Sequence, residues 1–202
     1  MIGALTVGAG LGVFGVTMLG RAANRTLEGR EVASVDRDRS VAVLLIGADH
    51  SSRVEKSVDE RTGGRGFSHV VVDASERDET GARLVYECFP REGVRRIRFS
   101  ERYGSDGTER MRPMVRAVIP RAWGESVRAS LSALVGQVYD VWTAFLPSRK
   151  GLVCSRMVLR ALPPALTANV RPHSDRHPIS PNDLARAFGV SSPLSHDVMV
   201  TA

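Results

Sequence analysis

Cysteine is scarce in this chain of 202 residues: Cys88 and Cys154 are the only two. No CxxC pair exists, and no histidine is spaced around either thiol as a zinc ligand, so no metal site is expected. A single pair gives no disulfide framework, although the two could bridge in principle. A cysteine in a specific local context can instead act as a nucleophile. Lysine is also nearly absent. Only Lys56 and Lys150 occur, so arginine supplies 26 of the 28 basic residues. No Lys/Arg run resembles a binding arm, and no nucleic-acid motif accompanies the net charge of +6. Nucleic acid is therefore not an expected partner. There is no internal repeat.

Charge is missing altogether from residues 1–20. A helix of that length would roughly span a bilayer core. The segment is rich in glycine, and Gly8 and Gly12 form the GxxxG spacing that permits close helix contact in a membrane. Three readings fit: a membrane anchor, a secretory signal, or a glycine-rich element packed on protein. A signal is the poorer fit, because no basic residue precedes the apolar run. Arg21, Arg25 and Arg30 follow at once and would favour a cytoplasmic domain if the segment spans. A membrane-associated or cell-envelope location is expected, with the cytoplasm left open by those arginines.

What is present is the composition of a soluble globular domain, 43% hydrophobic and 25% charged. Residues 21–40 are polar and read as a linker or short helix. Residues 41–46 (VAVLLI) form a continuous apolar run, ended by Gly47, and predict a buried strand. Helical spacing over 52–61 is followed by a glycine-rich loop over 62–66. The β-branched run 67–74 (FSHVVVDA) and the run 83–89 (RLVYECF) predict two strands, and 94–99 a third. Residues 100–113 read as an exposed charged loop, and 115–119 as a strand. Apolar steps of three and four predict helices over 123–138 and 152–162, the second stopped by Pro163 and Pro164. A short helix is expected over 181–188. The simplest arrangement is an α+β fold, an antiparallel sheet packed on helices, with the domain running from 41 to 202.

Three residues invite chemistry. His69 lies in an otherwise apolar strand. A hairpin folded about Asp78 and Glu79 sets His69 opposite Glu87 or Cys88, where facing Cβ atoms are about 4.5–5.5 Å apart. Glu87 would then fix the imidazole tautomer and leave its other nitrogen free. Cys154 opens the helix after Gly151. Unsatisfied N–H groups and the helix dipole at such a position ease loss of the thiol proton. The same groups can hold an oxyanion. Cys88 alternates with Glu87, faces the other side of the sheet, and reads as core.

Residues 67–72 (FSHVVV), 85–89 (VYECF), 139–140 (YD) and 153–158 (VCSRMV) together resemble the circularly permuted NlpC-like branch of the papain-like hydrolases. That branch includes bacterial YiiX-like proteins and the lecithin:retinol acyltransferase group. The Thr62-Gly63 pair before the histidine strand is similar too. The resemblance covers roughly residues 41–190. It implies a permuted papain-like fold with Cys154 as nucleophile, His69 as general base and Glu87 as orienting residue. Tyr139 and Ser155 would lie near the oxyanion or substrate. No metal or cofactor is implied. The substrate would be peptide-like or acyl: an amide hydrolase on peptides of the peptidoglycan type, or alternatively a membrane-associated acyltransferase or thioesterase. A catalytically silent structural protein on the same fold is the third reading. Arg156 stands where an acidic residue often follows Cys-Ser, and Cys88 where alanine is common. The 100–113 loop is unusually charged. Oligomeric state is not legible.

Overall fold

A computed structural model describes residues 30–36, 39–49, 53–104, 113–140, 151–174, 178–194 and 196–201. The membrane-anchor reading of residues 1–20 and the first part of the expected linker lie outside the described residues. Among the described residues, no helix is long and apolar enough to cross a membrane.

One sheet organises the chain. Its strands are β1 (Ser34–Val35), β2 (Ala42–Gly47), β3 (Phe67–Arg77), β4 (Arg83–Phe89), β5 (Gly93–Arg98), β6 (Met114–Val118) and β7 (Val198–Met199). The order is β5-β4-β3-β2-β6-β7, with β1 paired to β3 beyond the end of β2. Every pairing is antiparallel except β6 with β7. The fold is thus α+β with a mostly antiparallel sheet. The expected linker is corrected at its end, because Ser34 and Val35 pair with Arg77 and Glu76 and belong to the sheet.

Helices cover the sheet unequally. α1 (Arg53–Arg61) precedes β3, and α2 (Phe99–Tyr103) follows β5. α3 (Gly124–Leu134), α4 (Cys154–Ala161), α5 (Pro164–Thr167) and α6 (Pro181–Ala187) come later. On one face Val70, Val72, Tyr86 and Cys88 pack with Leu131 of α3, Met157 and Val158 of α4, and Leu184 of α6. On the other face Leu44, Ile46, Val71, Val85 and Ile97 pack under Phe99 and Tyr103 of α2. β2 is buried on both faces, which is why its sequence is apolar without alternation.

Three expectations about loops and element ends are corrected. The strand expected over 94–99 ends at Arg98, and residues 99–103 form α2 with buried Phe99 and Tyr103 instead of opening the exposed loop expected over 100–113. α3 ends at Leu134 rather than at 138, because Gly136 turns the chain at φ +83°. Gly136 N–H then donates to Val94 O, and Val94 N–H to Gln137 O. The same turn sets Gln137 O against Gly93, where a Cβ would not fit.

The β3–β4 hairpin turns through Asp78–Ala82. Asp78 Oδ1 accepts from the Thr80 N–H, the Thr80 hydroxyl and the Ala82 N–H. Arg77 pairs with Arg83 and Glu76 with Leu84, but Val72 pairs with Tyr86. β3 therefore carries two extra residues between Val72 and Glu76. This bulge is fixed by Asp73 Oδ1, which accepts the N–H of Ser75 at φ +60°.

Candidate active site

The Cys154 thiol is placed by α4. Cys154, Met157, Val158 and Ala161 follow the i, i+3, i+4, i+7 steps of a buried helical stripe. Val153 precedes them in extended conformation, so the helix begins at the cysteine itself. The backbone N–H groups of Ser155, of Val70 in β3 and of Cys154 itself lie close enough to the sulfur to favour its thiolate. Among the described residues, pairing of β3 with β4 stops at Val72–Tyr86. The sulfur thus sits at the seam where the two strands cease to pair.

These N–H groups do not make the thiol acidic. Burial pushes Cys154 up to about 11, against the pull of the three N–H groups, and the Glu87 charge adds to the rise. This corrects the expectation of an easily lost proton. The helix N-terminus favours the thiolate, but in a residue only 9% exposed the thiol loses more to desolvation than it gains. Cys88 is fully buried on the same face of the sheet, and burial raises its thiol further.

His69 lies one residue before Val70, and hence one residue from an amide that favours the thiolate. It pairs with Ile46 of β2, and its side chain alternates onto the α2 face. Cys154 belongs to the helical face, so the two side chains approach the β3–β4 seam from opposite sides of the sheet. The register differs from the expected one. Beyond the last β3–β4 pair at Val72–Tyr86, the residue of β4 that meets His69 is Phe89, not Glu87 or Cys88. The two rings meet edge to face, 5.6 Å between centroids. Glu87, two residues before Phe89 in β4, alternates onto the same face as Phe89.

Glu87 is fully buried and its oxygens are held by other groups. The Tyr103 hydroxyl donates to Oε2 at 2.9 Å. Arg95 donates to Oε1 through Nε and Nη2, each at 3.2 Å. Arg102 Nη1 lies 3.2 Å from Oε1 as an ion pair, off the hydrogen-bond axis. Burial pushes the Glu87 carboxyl up, opposed by Arg102, the Tyr103 hydroxyl and Arg95. Burial likewise raises the Tyr103 phenol, and the Glu87 charge raises it further.

Tyr139 and Ser155 both border the thiol. Tyr139 forms an isolated bridge with Leu152, and Asp140 N–H donates to Leu152 O, so the YD pair is clipped to the strand-like residues before α4. The Asp140 side chain lies over Gly151, leaving no room for a Cβ there. Burial raises the Tyr139 phenol, with Cys154 and Cys88 as further contributors. The Ser155 hydroxyl donates to Ile179 O at 2.6 Å, so its backbone N–H is the group directed at the sulfur. Among the described residues, no group of three or more His, Cys, Asp or Glu could hold a metal ion.

Asn182 and Asp59 were not singled out from sequence, yet they fix the entry to the His69 strand. Asn182 Oδ1 accepts the Phe67 N–H at 3.1 Å. Its Nδ2 donates to Asp59 Oδ1 at 3.0 Å and to Thr62 Oγ1 at 2.7 Å. Asp59 Oδ1 also accepts the Gly66 N–H at 2.7 Å. The available signal was Ser180-Pro181-Asn182-Asp183, a capping box with proline at the first helical position, which places Asn182 rigidly. Replacing Asn182 by alanine strands the buried Phe67 N–H and part of Asp59. It should cost about 2–4 kcal/mol in denaturant unfolding. A loss under about 1 kcal/mol would mean that water replaces the amide.

Comparison with protein-family models, with curated proteins and with solved structures finds no match to this chain.

Proposed function

We propose that residues 41–202 form a permuted papain-like domain that acts as a cysteine-dependent amide hydrolase on peptide-like substrates. The observation that supports this reading is Cys154 at the start of a buried helix, with the backbone N–H of Val70, the residue after His69, among the groups that favour its thiolate.

The thiol is neutral at rest, so His69 acts as a general base during attack rather than as half of a standing ion pair. As sulfur bonds to the carbonyl carbon, the thiol proton passes to His69. In this reading the Ser155 and Cys154 N–H groups would receive the oxyanion. His69 then returns the proton to the leaving amine as the C–N bond breaks. Water, deprotonated by His69, adds to the thioester, and collapse restores the thiol and frees the acid. A lipid acceptor in place of water would make the same thioester chemistry an acyl transfer.

Three observations favour the silent-scaffold reading: the thiol is buried, Glu87 is held by Arg95, Arg102 and Tyr103, and His69 lies on the sheet face opposite that of Cys154. Incubation with p-nitrophenyl acetate separates the two, read by peptide mass. The hydrolase reading expects an acetyl group on Cys154 that water then removes, with Cys88 unmodified. Slow and equal labelling of both cysteines would overturn it in favour of the scaffold.

A further inference from the structure

We propose that Phe89 and Arg102 are positioning residues for His69, and that they link it to Glu87. This rests on the reading of His69 and Cys154 as an acyl-transfer pair. The Phe89 and His69 rings stand at 85° to each other, 5.6 Å between centroids. That geometry sets the positive edge of one ring against the π cloud of the other and disfavours rotation of either. The Arg102 guanidinium carbon lies 4.2 Å from the centroid of Phe89, a cation over an aromatic face. Arg102 is pinned in turn by Glu87 Oε1 at 3.2 Å and by Glu92 Oε2 at 2.9 Å. Tyr103 and Arg95 hold Glu87 from the remaining sides.

The carboxylate is thus joined to the imidazole by a guanidinium and a phenyl ring. In a direct orienter a hydrogen bond fixes the ring angle. Here a ring wall stands against the imidazole, and a salt-bridged cation keeps that wall from turning. Placement matters because a displacement of about 1 Å between base and nucleophile costs roughly a hundredfold in rate.

The test uses the full chain and two readouts. One is the rate of Cys154 acetylation by p-nitrophenyl acetate. The other is the pair of His69 side-chain 1H–15N signals, assigned by their loss in His69→Gln. Phe89→Leu is expected to move the His69 signals and slow acetylation about tenfold or more. Arg102→Ala should do both to a smaller degree, and Arg102→Lys, which keeps a cation above the ring, should restore most of the rate. A folded Phe89→Leu protein with unchanged His69 signals and rate would overturn the proposal. If Phe89→Leu does not fold, unchanged signals in Arg102→Ala would do the same. A His69→Gln protein that acetylates at the wild-type rate would instead defeat the underlying acyl-transfer reading. In that case the signal shifts still report whether Phe89 and Arg102 position the ring.

Discussion

Replacing Glu87 by alanine is expected to destabilise the fold by about 3–5 kcal/mol, because it leaves cations partly buried without their central anion. Glu87 is fully buried, while the Arg95 and Arg102 side chains are 16% and 26% exposed. Both arginines keep Glu92 as a partner, at 2.5 Å and 2.9 Å, which argues for the lower end of that range. The Tyr103 hydroxyl, buried in the α2 face, loses its acceptor as well. For a chain of this size the change corresponds to roughly 6–12 °C in Tm at the lower estimate. Glu87→Gln keeps an oxygen for Tyr103 and should recover part of the loss. Thermal and denaturant unfolding of both variants would check this. An alanine variant within about 0.5 kcal/mol of wild type would show that solvent screens the whole network.

Glu87 also shows why parts of the site were legible in sequence and others were not. A carboxylate between Tyr86 and Cys88 in an apolar strand had to be paired, and it is. Its partner was not legible. The expected partner followed from a turn centred near Asp78–Glu79, but the turn centres on Thr80, and the bulge at Asp73–Ser75 then takes back two residues. No residue in that bulge announces it, since Ser75 adopts positive φ without being glycine. The true partners come from β5 and from α2. Five residues of α2 inside a charged stretch carry too short a period to read as a helix. β1 and β7, two residues each, are below any periodicity at all.

The long buried elements were easier. β2, β3 and β4 appear in sequence as apolar runs because they lie inside a sheet covered on both sides. The stripe of α4 through Met157, Val158 and Ala161 was readable, but the helix expected over 152–162 starts only at Cys154, because Val153 is extended and Leu152 bridges Tyr139. The acidity of the thiol was not. Helix position is a local property, whereas desolvation depends on everything packed around the seam, and here desolvation is the larger effect. The faces were half legible. Alternation correctly separated Cys88 from Glu87, but the face that α4 covers is set by tertiary packing, and it is the Cys88 face.

If the protein is the proposed hydrolase, the largest expected effect is on acyl transfer. Cys154→Ala should abolish acetylation by p-nitrophenyl acetate, since no other described thiol lies at a helix start. His69→Gln should slow it roughly 10²–10⁴-fold near neutral pH, the usual contribution of a positioned general base. The pH dependence tests the same pair independently. The Cys154 thiol is raised to about 11, so its thiolate fraction is small at neutral pH and grows as pH rises. Without His69 the rate depends on that fraction and should climb about tenfold per pH unit until it levels near 11. With His69 present the proton leaves during attack, and the wild-type rate should stand well above that line at about pH 6–8. The two curves should converge at high pH, where the thiolate forms unaided. Coincident curves across the whole range would mean that the imidazole never takes the thiol proton from its side of the β3–β4 seam.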